Sequence, residues 1–136
     1  MKRLLTHFLL LAVVTLGLIS CKKDADLATG LVGTWKLTSR EECYCPAGQV
    51  YDETVAFTAT SFTFVRDGLI VRQGTYAQAT AAACGTTALI PVLAFTDVVN
   101  QSLRNVPFAL NNQKLVLDYR NRCISDSPVD TYQRVP

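Results

Sequence analysis

In Gly33-Thr34-Trp35-Lys36-Leu37-Thr38 apolar side chains alternate with polar ones, so Trp35 and Leu37 share a face. A period of two marks a half-buried strand. The same period returns at Val55 and Phe57, and again at Phe62 and Phe64. Arg66-Asp67-Gly68-Leu69 then sets an Asp-Gly pair between two such runs, a strong hairpin signal. Leu69 to Tyr76 reads as the returning strand, with Gly74 inside it. Ala88 to Phe95 is apolar, and Pro91 within it marks a bulge or an edge. Val106-Pro107-Phe108-Ala109-Leu110, Asn111-Asn112-Gln113 and Leu115-Val116-Leu117-Asp118-Tyr119 form a second hairpin, and Val129 to Val135 is the last candidate strand. Gln78 to Ala83 is Ala-rich and allows one helical turn before Cys84-Gly85 ends it. About eight short strands at this spacing, without a convincing helix, predict an all-β sandwich or barrel.

The alternation also predicts what lies inside. Val55, Phe57, Phe62, Phe64, Phe108, Leu115, Leu117 and Tyr119 fall on the face of Trp35 and Leu37. At about 25 cal/mol per Å² of apolar surface removed from water, such a set supports a domain of this size. Carried inward from Val55, the same rule puts Glu53 inside; from Phe64 it puts Arg66 there, and from Ile70 it puts Arg72 there. Charges inside need partners. The three either pair with one another or meet an anionic ligand head at the barrel mouth, with Phe62, Phe64 and Tyr119 as apolar ligand contacts. If alternation fails at the strand ends, all three charges are solvated.

The chain has 136 residues, enough for one domain. Met1-Lys2-Arg3 is a positive start, and Leu4 to Ile19 is an apolar run too short for a membrane span but right for a signal peptide. Leu18-Ile19-Ser20-Cys21 resembles the bacterial lipobox, a short apolar pair and a small residue before an obligatory Cys. That resemblance implies a diacylglycerol thioether on Cys21, cleavage before it, and an acylated amine. Two or more acyl chains anchor a protein stably where one does not. An ordinary secretory signal with an incidental Cys is the alternative. Residues 1–20 are thus expected to be removed, and 21–30 to form the lipidated Cys and a flexible tether. Residues 31–136 form the domain. Lys22-Lys23-Asp24-Ala25-Asp26 loosely resembles the charged signals that send some lipoproteins to the cell surface, though a solvated linker reads the same way.

Without Lys2 and Arg3 the basic count falls from 13 to 11, against 11 acids, so no basic surplus points to nucleic acid. The one His, His7, lies in the leader. The domain therefore has no Ser-His-Asp or Cys-His catalysis and no His-ligated metal. Adjacent acids at Glu41-Glu42 and Asp52-Glu53 point to opposite faces of a strand and make no acid–base couple. No phosphate loop is present. Neither an enzyme, a cofactor nor a metal is expected.

Cys43, Cys45, Cys84 and Cys123 in an exported chain predict two disulfides. A bridge between Cys43 and Cys45 would be strained in an extended segment. That leaves Cys43–Cys123 with Cys45–Cys84, or the reverse pairing. In an up-and-down barrel Cys84 would sit at the end opposite the other three. A four-thiolate metal site is the alternative, disfavoured because only one close pair exists.

Gly33-Thr34-Trp35 resembles the G-x-W that opens the first strand of lipocalins and of shorter lipocalin-like bacterial lipoproteins. Gly74-Thr75-Tyr76 and Tyr132-Gln133-Arg134 extend the resemblance. It implies a closed antiparallel barrel of about eight strands, stapled by the disulfides. It also implies an Arg packed over Trp35, with Arg134 first and Arg120 second for that role. The chain is shorter than a typical lipocalin, and eight strands hold either their own side chains or one small ligand. The expected function is a lipid-anchored lipoprotein of the bacterial cell envelope that binds or carries a small apolar or amphipathic ligand, entering near the Asp67-Gly68 hairpin. The alternative is a non-catalytic scaffold with a filled barrel, contacting an envelope protein through loops such as Tyr44-Cys45-Pro46-Ala47-Gly48. An interior cavity of about 300 Å³ or more favours the ligand.

Overall fold

A computed structural model describes residues 30–41, 50–122 and 127–136. Expectations for Cys21, Cys43, Cys45, Cys123 and the segments around them lie outside the described residues.

The strands are β1 (Gly33–Glu41), β2 (Glu53–Phe57), β3 (Ser61–Arg66), β4 (Leu69–Ala82), β5 (Leu89–Asp97), β6 (Leu103–Leu110), β7 (Lys114–Asp118) and β8 (Val129–Arg134). Each pairs antiparallel with the next, and β8 pairs back onto β1, so eight strands close a barrel. Closure gives every strand a neighbour on both sides, which an open sheet cannot do. The strand ends at Glu41, Glu53, Asp118 and Val129 and the β3–β4 and β5–β6 turns fall at one end, the mouth. Gly30 and the β2–β3, β4–β5 and β6–β7 turns fall at the other, the base.

The Asp-Gly signal is realised as a two-residue turn with both residues at positive φ, Asp67 at 51° and Gly68 at 79°. That conformation matches the twist of the flanking strands. Every residue of the main core cluster among the described residues lies between Leu31 and Tyr132. Residues 30–136 therefore contain a closed sheet and its own core, the requirements of a unit that folds by itself. Trp35, Leu37, Val55, Phe57, Phe62, Phe64, Leu115 and Leu117 are buried as the alternation requires. Phe108 is only partly buried against this core. Leu31, Tyr76, Leu93, Phe95, Val106 and Tyr132 complete it. Phe95 stands at the centre of an edge-to-face cluster, 4.8 Å from Phe62 and 6.2 Å from Phe64 between ring centres.

Three readings are corrected. Gln78 to Ala83 makes no helical turn; residues 78–82 extend β4 and pair with Leu89–Leu93. Ladder hydrogen bonds to a neighbouring strand override the helix preference of Ala. Tyr119 falls after β7, opening a 3-10 turn that runs to Arg122. Ile70 is not inside: it is 61% exposed, because the β3–β4 register slips between Phe64 and Val65. Val71 is the extra residue, and Arg72 faces inward beyond the slip.

At the base, Gly33 has φ +137°, and a Cβ there would stand 2.6 Å from Arg134 Nη1. Only glycine fits both conditions. Arg134 pairs in register with Trp35, and its guanidinium carbon lies 4.2 Å from the ring centre. It donates to the carbonyls of Gly30, Val32 and Asn112, while Trp35 Nε1 donates to Leu31 O at 2.9 Å. One side chain thus ties the incoming chain, the first strand and the β6–β7 turn together. Arg120 instead bonds Asp118 beside it, at 2.7 Å.

Candidate functional site

Buried side chains of the core cluster occupy the barrel interior from Leu31 at the base to Phe64 and Tyr132, and above that level the interior opens. A cavity of about 320 Å³ lies at the mouth, with walls that include Arg40, Glu53, Phe64, Arg66, Arg72, Arg104, Tyr119 and Asp130. Its walls combine four arginines and two carboxylates with the apolar surfaces of Phe64, Val71, Val106 and Pro128.

Glu53 is the anchor of one wall. It sits at the start of β2, 2% exposed. Its cross-strand partner Arg66 donates Nε to Oε2 at 2.8 Å, and Tyr132 Oη donates to Oε1 at 2.7 Å. Arg40 stands between two carboxylates: Nη2 is 3.4 Å from Glu53 Oε1, and Nε and Nη2 both donate to Asp130 at 2.7 Å. Such a two-pronged pair fixes direction as well as charge. The bond to Asp130 holds the Arg40 guanidinium above its usual range, against the opposing effect of burial. Burial, reinforced by Tyr119, Asp130 and Glu53, pushes the Tyr132 hydroxyl far above its ordinary value, so it remains a donor. Burial raises Tyr119 in the same way, with the Asp130 charge adding to it.

The floor is Arg72. Its guanidinium carbon lies 5.3, 5.3 and 5.4 Å from the ring centres of Phe62, Phe64 and Phe95. Asp97 holds it from the side, accepting Nε at 2.9 Å and Nη2 at 3.2 Å. A cation over aromatic faces is attracted by their quadrupoles. It also lies over Phe62 and Phe95, which do not line the cavity, while Phe64 reaches its wall. Arg104 reaches Asp97 only at 3.9 Å and is 39% exposed. Above, Arg66 stacks 4.5 Å over Tyr51.

Glu53, Arg66 and Arg72 therefore come together at the mouth, joined by Phe64 and Tyr119 on the wall. Phe62 does not reach the cavity; it is 1% exposed, under Arg72. Sequence reading missed Arg40, Asp97, Arg104, Asp130 and Tyr132. Alternation from Trp35 and Leu37 points to Ser39 and Glu41, but β1 carries a register slip between Leu37 and Ser39, and this turns Arg40 inward. No residue type at that place announces the slip. Asp130 was recoverable, because it lies two residues before Tyr132 on the same face of β8.

Cys84 has a partner and is not a free thiol. It lies in the β4–β5 connection at the base, whereas the strand ends flanking residues 42–49 and 123–126 lie at the mouth. Among the described residues no three His, Cys, Asp or Glu side chains gather as a metal site. Comparison with family models, with curated proteins and with solved structures finds no match.

Proposed function

We propose that this chain is a lipid-anchored, lipocalin-like envelope protein whose barrel binds one small amphipathic ligand at its mouth. The observation that carries the reading is the cavity of about 320 Å³, within the range of small-ligand sites. A filled barrel acting through its loops would leave no such space. The paired charges around it are held by hydrogen bonds before any ligand arrives, and preorganisation lowers the cost of binding. The lipobox resemblance at Leu18–Cys21 supports the anchor. The described chain begins at the base with Gly30, so a tether from Cys21 joins the barrel opposite its mouth. Two disulfides among Cys43, Cys45, Cys84 and Cys123 belong to the same reading, supported by the engaged state of Cys84.

The test is solvent extraction of the protein purified from envelopes, followed by identification of what it releases. One amphiphile class in stoichiometric amount is the expected result. An extract matching that of a barrel protein of unrelated interior would remove the ligand and return the loops as the working surface.

A further inference from the structure

Among the described residues that line the cavity, and the carboxylates that pair with them, the charges do not balance: Arg40, Arg66, Arg72 and Arg104 face Glu53, Asp97 and Asp130, one cation in excess. Arg40 is bound on both prongs by Asp130, and Arg72 by Asp97. Arg104 is the loosest of the four, at 3.9 Å from its carboxylate. The excess is therefore concentrated where Arg104 meets the open cavity.

The space below is closed to an alkyl chain. Arg72 lies across Phe62, Phe64 and Phe95, and these rings pack edge to face. A tail passing downward would have to displace the guanidinium and part the rings. Exposed apolar side chains adjoin the mouth. Leu69, Ile70 and Val71 on the β3–β4 hairpin are 71%, 61% and 46% exposed, and Val98, Val99 and Leu103 around the β5–β6 turn are 56%, 93% and 62% exposed. Val98 N donates to Gln73 O at 3.0 Å, which sets the β5–β6 turn against β4, the strand that carries Leu69, Ile70 and Val71. Val71 belongs to both this apolar ridge and the cavity wall, so the two surfaces are continuous.

Resting on the ligand-binding reading above, we infer that the ligand is a single-chain amphiphile with an anionic head, bound head inward. The carboxylate or phosphate sits over Arg72 beside Arg104 and Arg66, and the alkyl chain runs outward along the Leu69–Leu103 ridge. Charge complementarity selects the head, and the Arg72 floor with its adjoining apolar ridge fixes the orientation. Head-group chemistry is shared by a carboxylate and a phosphate monoester.

The test is titration of residues 22–136, as monomer, with decanoate, decyl phosphate, decanol and decyltrimethylammonium below their micelle thresholds, read by methyl and arginine side-chain NMR. Decanoate and decyl phosphate should bind and shift Arg104, Val71 and Val99, with at most weak binding of decanol and none of the cation. Affinity should rise about twofold per added methylene, half on a logarithmic scale of what full burial gives. Arg104→Gln should weaken decanoate roughly tenfold, the size of a lost charge-assisted hydrogen bond. Leu69→Ser with Val99→Ser should weaken it about fivefold and leave acetate binding unchanged. Both sites are exposed, so these variants keep the fold, which Trp35 fluorescence reports.

Decanol binding as tightly as decanoate, with shifts at Phe62, Phe95 and Leu117, would overturn the orientation and leave the ligand-binding reading standing. So would binding to anionic vesicles alone, which would make the ridge a bilayer contact. Absence of binding by every decyl compound, or a dimer broken by Val99→Ser that binds none of them, would overturn both.

Discussion

Tyr132 on the last strand donates its hydroxyl to Glu53 on the second at 2.7 Å, across the barrel interior. The bond lies at the boundary between the filled core and the open mouth, and Glu53 is 2% exposed there. Removing the hydroxyl leaves Glu53 with its two arginines but one hydrogen-bond donor short. Tyr132→Phe should cost about 1–2 kcal/mol in urea unfolding. An unchanged midpoint would show that water replaces the hydroxyl.

The tyrosines also set the alkaline limit. Burial raises Tyr76, Tyr119 and Tyr132 above their ordinary value of 10.0. A raised acid stays protonated in the folded chain while the unfolded chain ionises. Their contribution is complete below pH 10 and is lost as pH climbs above it. Urea midpoints should therefore fall between pH 9 and pH 11, and less steeply in Tyr132→Phe. A flat profile would contradict the burial of these hydroxyls.

Arg40 neutralises two buried carboxylates at once, Asp130 and Glu53. Arg40→Leu leaves Asp130 without its cation and should cost about 3–5 kcal/mol. Adding Asp130→Asn should recover part of that loss, a coupling that a double-mutant cycle measures. Additive losses would mean the pair is not a unit.

At the base, Arg134→Lys keeps the charge but loses the fork that reaches three carbonyls over Trp35. It should cost about 1–3 kcal/mol and shift Trp35 emission to longer wavelength. Gly33→Ala should cost at least about 1 kcal/mol from φ alone. Its cost should shrink when Arg134→Ala removes the atom that its Cβ meets.

For the anchor and the staples, Cys21→Ala should release the chain from membranes. Intact mass without reductant should lie about four hydrogens below the all-thiol value, as two disulfides require. Membrane retention in the first case, or four alkylatable thiols in the second, would remove the respective claim.

Strand order and most of the core were legible because a closed meander repeats one simple rule: side chains alternate, and turns carry turn residues. Asp67-Gly68 and the Trp35, Val55, Phe64 series show that rule unbroken. The mouth was only half legible. Glu53 and Arg66 follow the alternation, but Arg40 faces inward through a register slip in β1, and a second slip inserts Val71 into β4, neither marked by a residue type. Arg72 was placed inside by counting from Ile70, which is itself outside. Asp97 lay beyond the expected end of its strand, at Phe95, so its pairing with Arg72 was invisible to the period.

The account's central claim is that the mouth holds an amphipathic ligand, and native mass spectrometry of residues 22–136 from an oxidising compartment tests it most directly. Wild type and Arg104→Glu should be compared side by side. The account predicts a co-purifying mass on the folded wild-type monomer that the reversed charge expels. A clean apo mass for both, or equal occupancy in both, would contradict it.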